Sequence, residues 1–412
     1  MSLARLSAPL GALALLSTAS TGLAQTAQDS PAMQKLEALD AKVNALFAAM
    51  DDTSAGTPMS SLDRLTIAGY GEYHGNFVDD GTKIADPHRF VMFFGYDFGD
   101  GILLFSETEL EHGFVKDGDG QISLEQLYID ITVGERSSIQ IGRLLTPLGI
   151  INQRHEPTFF NGVERPNLEK FLIPSTWSQD GIGLLGEFSD NLTYEVQLTS
   201  GLDGAGFEDI DGIRGGRLKE RPALSDPAVS GRIDWRPDAV DNLRIGVSAY
   251  SGGAGGGDQD ADVGVDAAVD ILSLDFEYAL GDFDFRGVLV DSKVKGADDL
   301  NNVYGNNVGS RQAGSYLEAA YHIMDRSERD PNARFPEQDL VAFVRLEQYD
   351  TIDEAADGGF DDPLADREEV TIGIGWWLTP KVVIKADYQD LGYADSSISR
   401  ADQVNIGIGW TL

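Results

Sequence analysis

Along most of this chain hydrophobic and polar residues alternate one by one. The alternation runs from Leu62 to Leu412 in segments separated by Asp, Gly, Asn and Pro. Segments of about ten residues with a period of two have the length and rhythm of membrane-crossing strands. The last segment is the clearest. Val404, Ile406, Ile408, Trp410 and Leu412 share one face; Asn405, Gly407, Gly409 and Thr411 share the other. A soluble sandwich does not normally run an unbroken apolar face to its terminus, whereas a lipid-facing strand does.

The pattern predicts strands near 64–76, 88–98, 101–115, 121–133, 137–148, 180–188, 192–200, 228–236, 242–250, 268–279, 282–293, 312–323, 339–349, 368–378, 381–391 and 401–412. About sixteen strands is an even number, as an up-and-down barrel requires, and closure removes the edges that lipid cannot satisfy. Short turns such as Phe98 to Gly101 contrast with long stretches such as 201–227, 251–267, 294–311 and 350–367. Short periplasmic turns and long outer loops are the barrel habit. Trp376, Trp377, Trp235, Trp410 and Tyr278 fall near strand ends, where an interfacial girdle would place them. The expected fold is therefore all-β, a transmembrane antiparallel barrel spanning 62–412.

The segment before it has a different rhythm. Residues 1–24 read as a secretory signal: Arg5, an apolar run from Leu6 to Leu16, and small residues before a cut at Gln25. Within 25–61, Ala32, Leu36, Leu39, Val43, Leu46 and Met50 recur at spacings of four and three, a coiled-coil-like seam. This predicts a short periplasmic helix followed by a linker. The expected location is the outer membrane of a Gram-negative cell.

Charge changes the picture inside the barrel. The 412 residues hold 68 Asp and Glu against 31 Lys and Arg, a net charge of −37. Such a chain is a poor nucleic-acid binder, because phosphate contacts need Lys and Arg. With no Cys it has neither disulfides nor thiolate sites. Where one strand face meets lipid, the other faces the lumen. That parity puts Glu107, Glu109 and Glu111 in line on one strand, and Arg232, Arg244, Arg286, Arg345 and Lys385 on others. Ionised groups at this density cannot lie unpaired in a dry core, so a wet channel is expected around them.

The stretch 150–178 is a long insert carrying its own apolar anchors, Phe159, Phe160, Phe171, Leu172, Ile173 and Trp177. Arg154, His155, Arg165 and Lys170 lie among them. A loop with anchors folds onto a surface, and inside a barrel that surface is the wall. The insert is read as a pore constriction, with an extracellular lid as the alternative.

These residues carry a resemblance. The run from Ile139 to Phe188, with Gly142, Arg143, Pro147, Leu148 and Gly149 at its turn, resembles the outer-membrane porin group related to the phosphate-selective porin O and P family. The resemblance implies a sixteen-stranded barrel, usually trimeric, in outer-membrane lipid, passing small hydrophilic solutes or ions. It adds Arg143 to the candidate pore-lining residues. The chain departs from such barrels in ending on Leu412 where Phe is common. It also sets acids beside most of its arginines, where phosphate selectivity needs an uninterrupted cationic ladder. The expectation is a general or weakly cation-preferring porin; the alternatives are a phosphate- or anion-selective porin and a structural or adhesive barrel.

No cofactor, metal site or enzymatic motif is expected. The run Asp117-Gly118-Asp119-Gly120 has EF-hand flavour, but Val115 and Gln126 stand where the first and last ligands belong. No HExxH, GxSxG or phosphate-binding Gly loop occurs.

Overall fold

A computed structural model describes residues 64–412 apart from 114–119, 218–221, 223, 256–264 and 325–331. The signal and helical segment expected at 1–24 and 25–61 lie outside the described residues, as does most of the EF-hand-like run. Sixteen strands follow in chain order: β1 (Leu65–Val78), β2 (Lys83–Gly99), β3 (Ile102–Glu111), β4 (Ile122–Gly134), β5 (Ser137–Leu145), β6 (Ser178–Ser189), β7 (Leu192–Ser200), β8 (Pro227–Trp235), β9 (Leu243–Gly253), β10 (Ala268–Leu280), β11 (Phe283–Lys295), β12 (Arg311–His322), β13 (Asp339–Glu354), β14 (Asp366–Thr379), β15 (Val382–Tyr393) and β16 (Gln403–Thr411). Two short helices interrupt them, α1 (Leu168–Phe171) between β5 and β6 and α2 (Ala297–Tyr304) between β11 and β12.

Every strand pairs with its sequence neighbours, and β1 pairs with β16, closing the barrel. The seam runs antiparallel from Tyr70 opposite Thr411 to Val78 opposite Gln403. Leu412 N donates to Gly69 O at 2.7 Å, so pairing continues to the last residue. All-antiparallel closure needs an even strand count, which sixteen meets.

One rim carries turns at 100–101, 135–136, 190–191, 281–282 and 380–381; the other carries the long connections 146–177, 201–226, 296–310 and 355–365. The long-loop rim is the outer one by the barrel rule. Outward positions are apolar and exposed: Ile67, Ile182, Leu198, Leu274, Leu346, Ile372 and Ile406 form a continuous belt. Each such side chain would cost about 1.5–3 kcal/mol facing water, and nothing facing acyl chains. The protein is built for the outer membrane.

Two details differ from expectation. Trp376 faces outward, but Trp377 is buried on the inner face with Phe343 and Val383, so only one of the pair belongs to a girdle. Pairing slips at bulges between Glu72 and His74 on β1 and between Glu107 and Thr108 on β3, and across the β3 bulge Glu125 of β4 drops out of strict alternation.

Candidate functional site

The insert between β5 and β6 spans 146–177 and leaves and returns at one point. Thr146 N donates to Trp177 O at 2.9 Å. Asn152 locks this neck: its amide nitrogen donates to Thr146 O (2.7 Å) and Trp177 O (3.0 Å), and its oxygen accepts from Trp177 N (2.7 Å). Gly149 turns the chain with φ 65°; a Cβ there would meet a Glu169 oxygen at 2.4 Å. The Glu169 carboxylate fills that space, accepting from Ile150 N and Ile151 N (2.7 Å each) and from Tyr316 on β12 (2.7 Å). Burial pushes this carboxyl up to about 7, against the pull of those three donors.

From this neck the insert lies inside the barrel and touches the wall on every side. Gln153 donates to Glu195 of β7, and Arg154 to Glu277 of β10, each at 2.7 Å. Asn161 meets Glu318 of β12 (2.9 Å), and Leu168 N meets Glu347 of β13 (2.9 Å). Lys385 of β15 donates to Phe160 O (2.6 Å) and Gly162 O (2.7 Å). Glu164 reaches Asn76 of β1 at 3.0 Å. Gly409 of β16 has no side chain because Pro157 occupies its place, 2.6 Å from where a Cβ would stand. Above the insert Phe207, Ile213, Leu300 and Val308 of the long-loop connections join Leu148, Phe160, Leu172 and Trp177 in one buried cluster.

The candidate wall charges are therefore drier than expected. Arg345 is 0% exposed and sits between Glu347 (2.8 Å) and Glu318 (3.3 Å). Arg232 is held by Asp234 (2.7 Å) and Asp275 (2.8 Å), and donates to Gly149 O (2.7 Å). Arg244 and Arg154 share one Glu277 oxygen at 2.7 Å. Arg286 shares Glu318 with Arg345, at 3.4 Å. The expected open, wet lumen is replaced at this level by an insert that dries the wall. The physical condition is pairing: removing one partner of a buried ion pair costs about 3–5 kcal/mol, so cation and anion come together.

The remaining candidates divide. Glu107 is buried against His155, and Glu109 lies 3.8 Å from Arg89. Burial opposes charge on His155, but Glu125 and Glu107 outweigh it and raise its pKa well above the usual imidazole range. Glu111, Arg165 and Lys170 are half-buried. Arg143 is a correction: it does not line the pore. It pairs in register with the outward Leu127 and shares a face with Ile141. It is tolerated outside because Asp180 on β6 takes it bidentately, at 2.7 and 2.9 Å.

Several lumenal groups escaped the sequence reading. Glu72 and Arg89 keep the inward parity of Tyr70 and Val91, whereas Glu125 lies at a bulge where the period-two parity of β4 shifts. His74 bridges Glu72 (3.1 Å) and Glu164 (3.4 Å), a contact across strand and insert that no spacing encodes. Two groups bring metal-ligating atoms together among the described residues: Asp86 with His88 and His112, and Glu107 with Glu125 and His155.

No family model matches the chain. An uncharacterised protein of Aquifex aeolicus (strain VF5) is 30% identical over 352 residues, covering 80% of this chain and 76% of that protein. Among solved structures, the loop L8 deletion mutant of OmpT, an outer membrane protein of Vibrio cholerae, is similar with a TM-score of 0.56 at 12% identity, over 84% of this chain and 99% of that one. The anion-selective porin from Comamonas acidovorans follows at 0.54 and 12%, over 84% and 99%. The outer membrane channel DcaP of Acinetobacter baumannii is similar at 0.53 and 11%, over 84% and 97%. At these identities the likeness is one of fold, and the fold is that of outer-membrane porins.

Proposed function

The chain belongs to one family with the uncharacterised Aquifex aeolicus protein, and we propose for it the role of a passive outer-membrane channel for small hydrophilic solutes or ions, narrowed by its insert. One observation carries the reading: the 146–177 segment turns into the lumen and docks on paired charges of the wall. A plain plug needs only apolar packing. The wall on which this insert docks is charged instead, and acids prevail in a chain of net charge −37. The selectivity proposed is general to weakly cationic. Relation to the phosphate-selective porin O and P group is part of this reading, but its phosphate preference is not: Arg232, Arg244 and Arg345 each contact acids.

The rest of the chain fits the same proposal. Residues 1–24 serve export, 25–61 lie in the periplasm, and the assembly is a homotrimer in outer-membrane lipid. Heat-modifiable trimer bands on a gel test the assembly.

A second reading is favoured by the 0% exposure of Arg345 beneath the insert: a structural barrel with a sealed lumen. Planar-bilayer recording separates the two. A channel conducts, and deleting 155–175 raises its unit conductance. A silent wild type that conducts only after deletion supports the sealed barrel. A conducting wild type with conductance unchanged by the deletion removes the constriction. A reversal potential favouring anions in a salt gradient contradicts the cationic preference.

A further inference from the structure

We infer that Glu107, Glu125 and His155 form a binding site for one borderline divalent cation of the zinc class, which clasps the insert to the β3–β4 wall. The three come from three elements, β3, β4 and the insert, and are 1%, 5% and 3% exposed. His155 Nε2 lies 3.3 Å from a Glu107 oxygen and 3.3 Å from a Glu125 oxygen. A charge-assisted N–H···O bond closes to about 2.7–2.9 Å. Two donors at about 2.0–2.2 Å from a tetrahedral zinc ion stand about 3.3–3.5 Å apart. The observed spacing matches the edge of such a site and is longer than a tight charge-assisted hydrogen bond.

The surroundings prepare these atoms as ligands. His155 Nδ1 lies 2.9 Å from Asn152 O; it donates there, leaving Nε2 to face the carboxylates. Gln126 donates to the second Glu107 oxygen at 2.6 Å and fixes that carboxylate. The second Glu125 oxygen is buried and makes no hydrogen bond of standard geometry, an acceptor that a cation would satisfy. Two carboxylates neutralise a doubly charged ion. An imidazole with two carboxylates suits zinc, iron or manganese, whereas calcium and magnesium prefer oxygen alone.

The rim group is the natural rival. Its Asp86 oxygen meets His88 at 3.1 Å and His112 at 2.8 Å. These spacings are nearer to hydrogen bonds, and His112 is 39% exposed on its side chain. It serves as the control.

The test uses the folded full chain in detergent, stripped with a chelator and titrated calorimetrically with Zn²⁺, so it does not depend on conduction. One tight site per chain is expected. His155→Gln and Glu125→Gln weaken it by at least about a hundredfold, since loss of an outer-shell partner alone costs about 10–100-fold. His88→Ala/His112→Ala leaves it intact. Absence of a tight site in the wild type overturns the inference, as does its survival in His155→Gln or its loss in the rim double variant. Should the inner variants not fold, Co²⁺ bound to the wild type decides: intense tetrahedral visible bands support the site, and weak octahedral bands overturn it. Zinc binding without any conductance leaves the clasp standing and counts against the channel alone.

Discussion

Replacing Lys385 with Met probes how firmly the insert is held. The ammonium donates to Phe160 O (2.6 Å) and Gly162 O (2.7 Å), and lies 3.9 Å from the centroid of the Phe160 ring. Hydrogen bonds to a charged group contribute about 1.5–3 kcal/mol each, so two contribute about 3–6. Methionine keeps the aliphatic packing and removes the cost of a buried charge, which offsets about 1–2 kcal/mol of that loss. The net expectation is about 1–5 kcal/mol against docking, or roughly five- to several-thousand-fold in the docking equilibrium. The β14–β15 and β15–β16 ladders do not involve this side chain, so the barrel persists. Limited proteolysis should cut within 155–175 faster than in the wild type, and single-channel records should show longer or larger openings. Wild-type cleavage and conductance in a folded Lys385→Met barrel would refute wall-anchored docking.

Other perturbations test separate parts. Burial raises Glu169 from about 4.5 to about 7, so the docked insert binds a proton that a solvated one releases between those values. Docking weakens as pH rises through that window and levels off above about 7; protease resistance should be greater at pH 5.5 than at pH 8, and Glu169→Gln should flatten the difference. Gly149→Ala places a methyl where Glu169 sits, 2.4 Å away, in a φ 65° conformation; a loss of about 1–3 kcal/mol should appear as faster proteolysis of the insert. Leu346→Arg puts a charge on the lipid face of β13 and should cost about 2–4 kcal/mol near midplane, measured by urea titration in vesicles. Arg143→Gln should leave the reversal potential of any conducting state unchanged, because its side chain is outside the barrel.

The barrel was legible because lipid imposes a local rule. Along Leu340–Leu346 of β13, Val370–Trp376 of β14 and Val404–Trp410 of β16 each residue is assigned inside or outside by its parity, without reference to neighbours. The same rule placed Arg345, Lys385, Arg232 and Glu107 on the inner face, where they lie. It holds for Arg143 as well, which has the parity of Ile139 and Ile141 and so faces outward with them.

What the insert does could not be read this way. The apolar anchors of 146–177 declare that it folds onto something, but direction depends on partners distant in sequence: Lys385 for Phe160, Glu318 for Asn161, Glu277 for Arg154. Those contacts turned a wall of candidate pore charges into a mostly dry docking surface. A bulge moved Glu125 out of step with the period, so it met His155 by geometry alone. The sequence by itself determined which face of each strand meets lipid, because that is settled residue by residue against a uniform solvent. Only the tertiary structure decided what fills the lumen, because there each charge is settled against one particular partner.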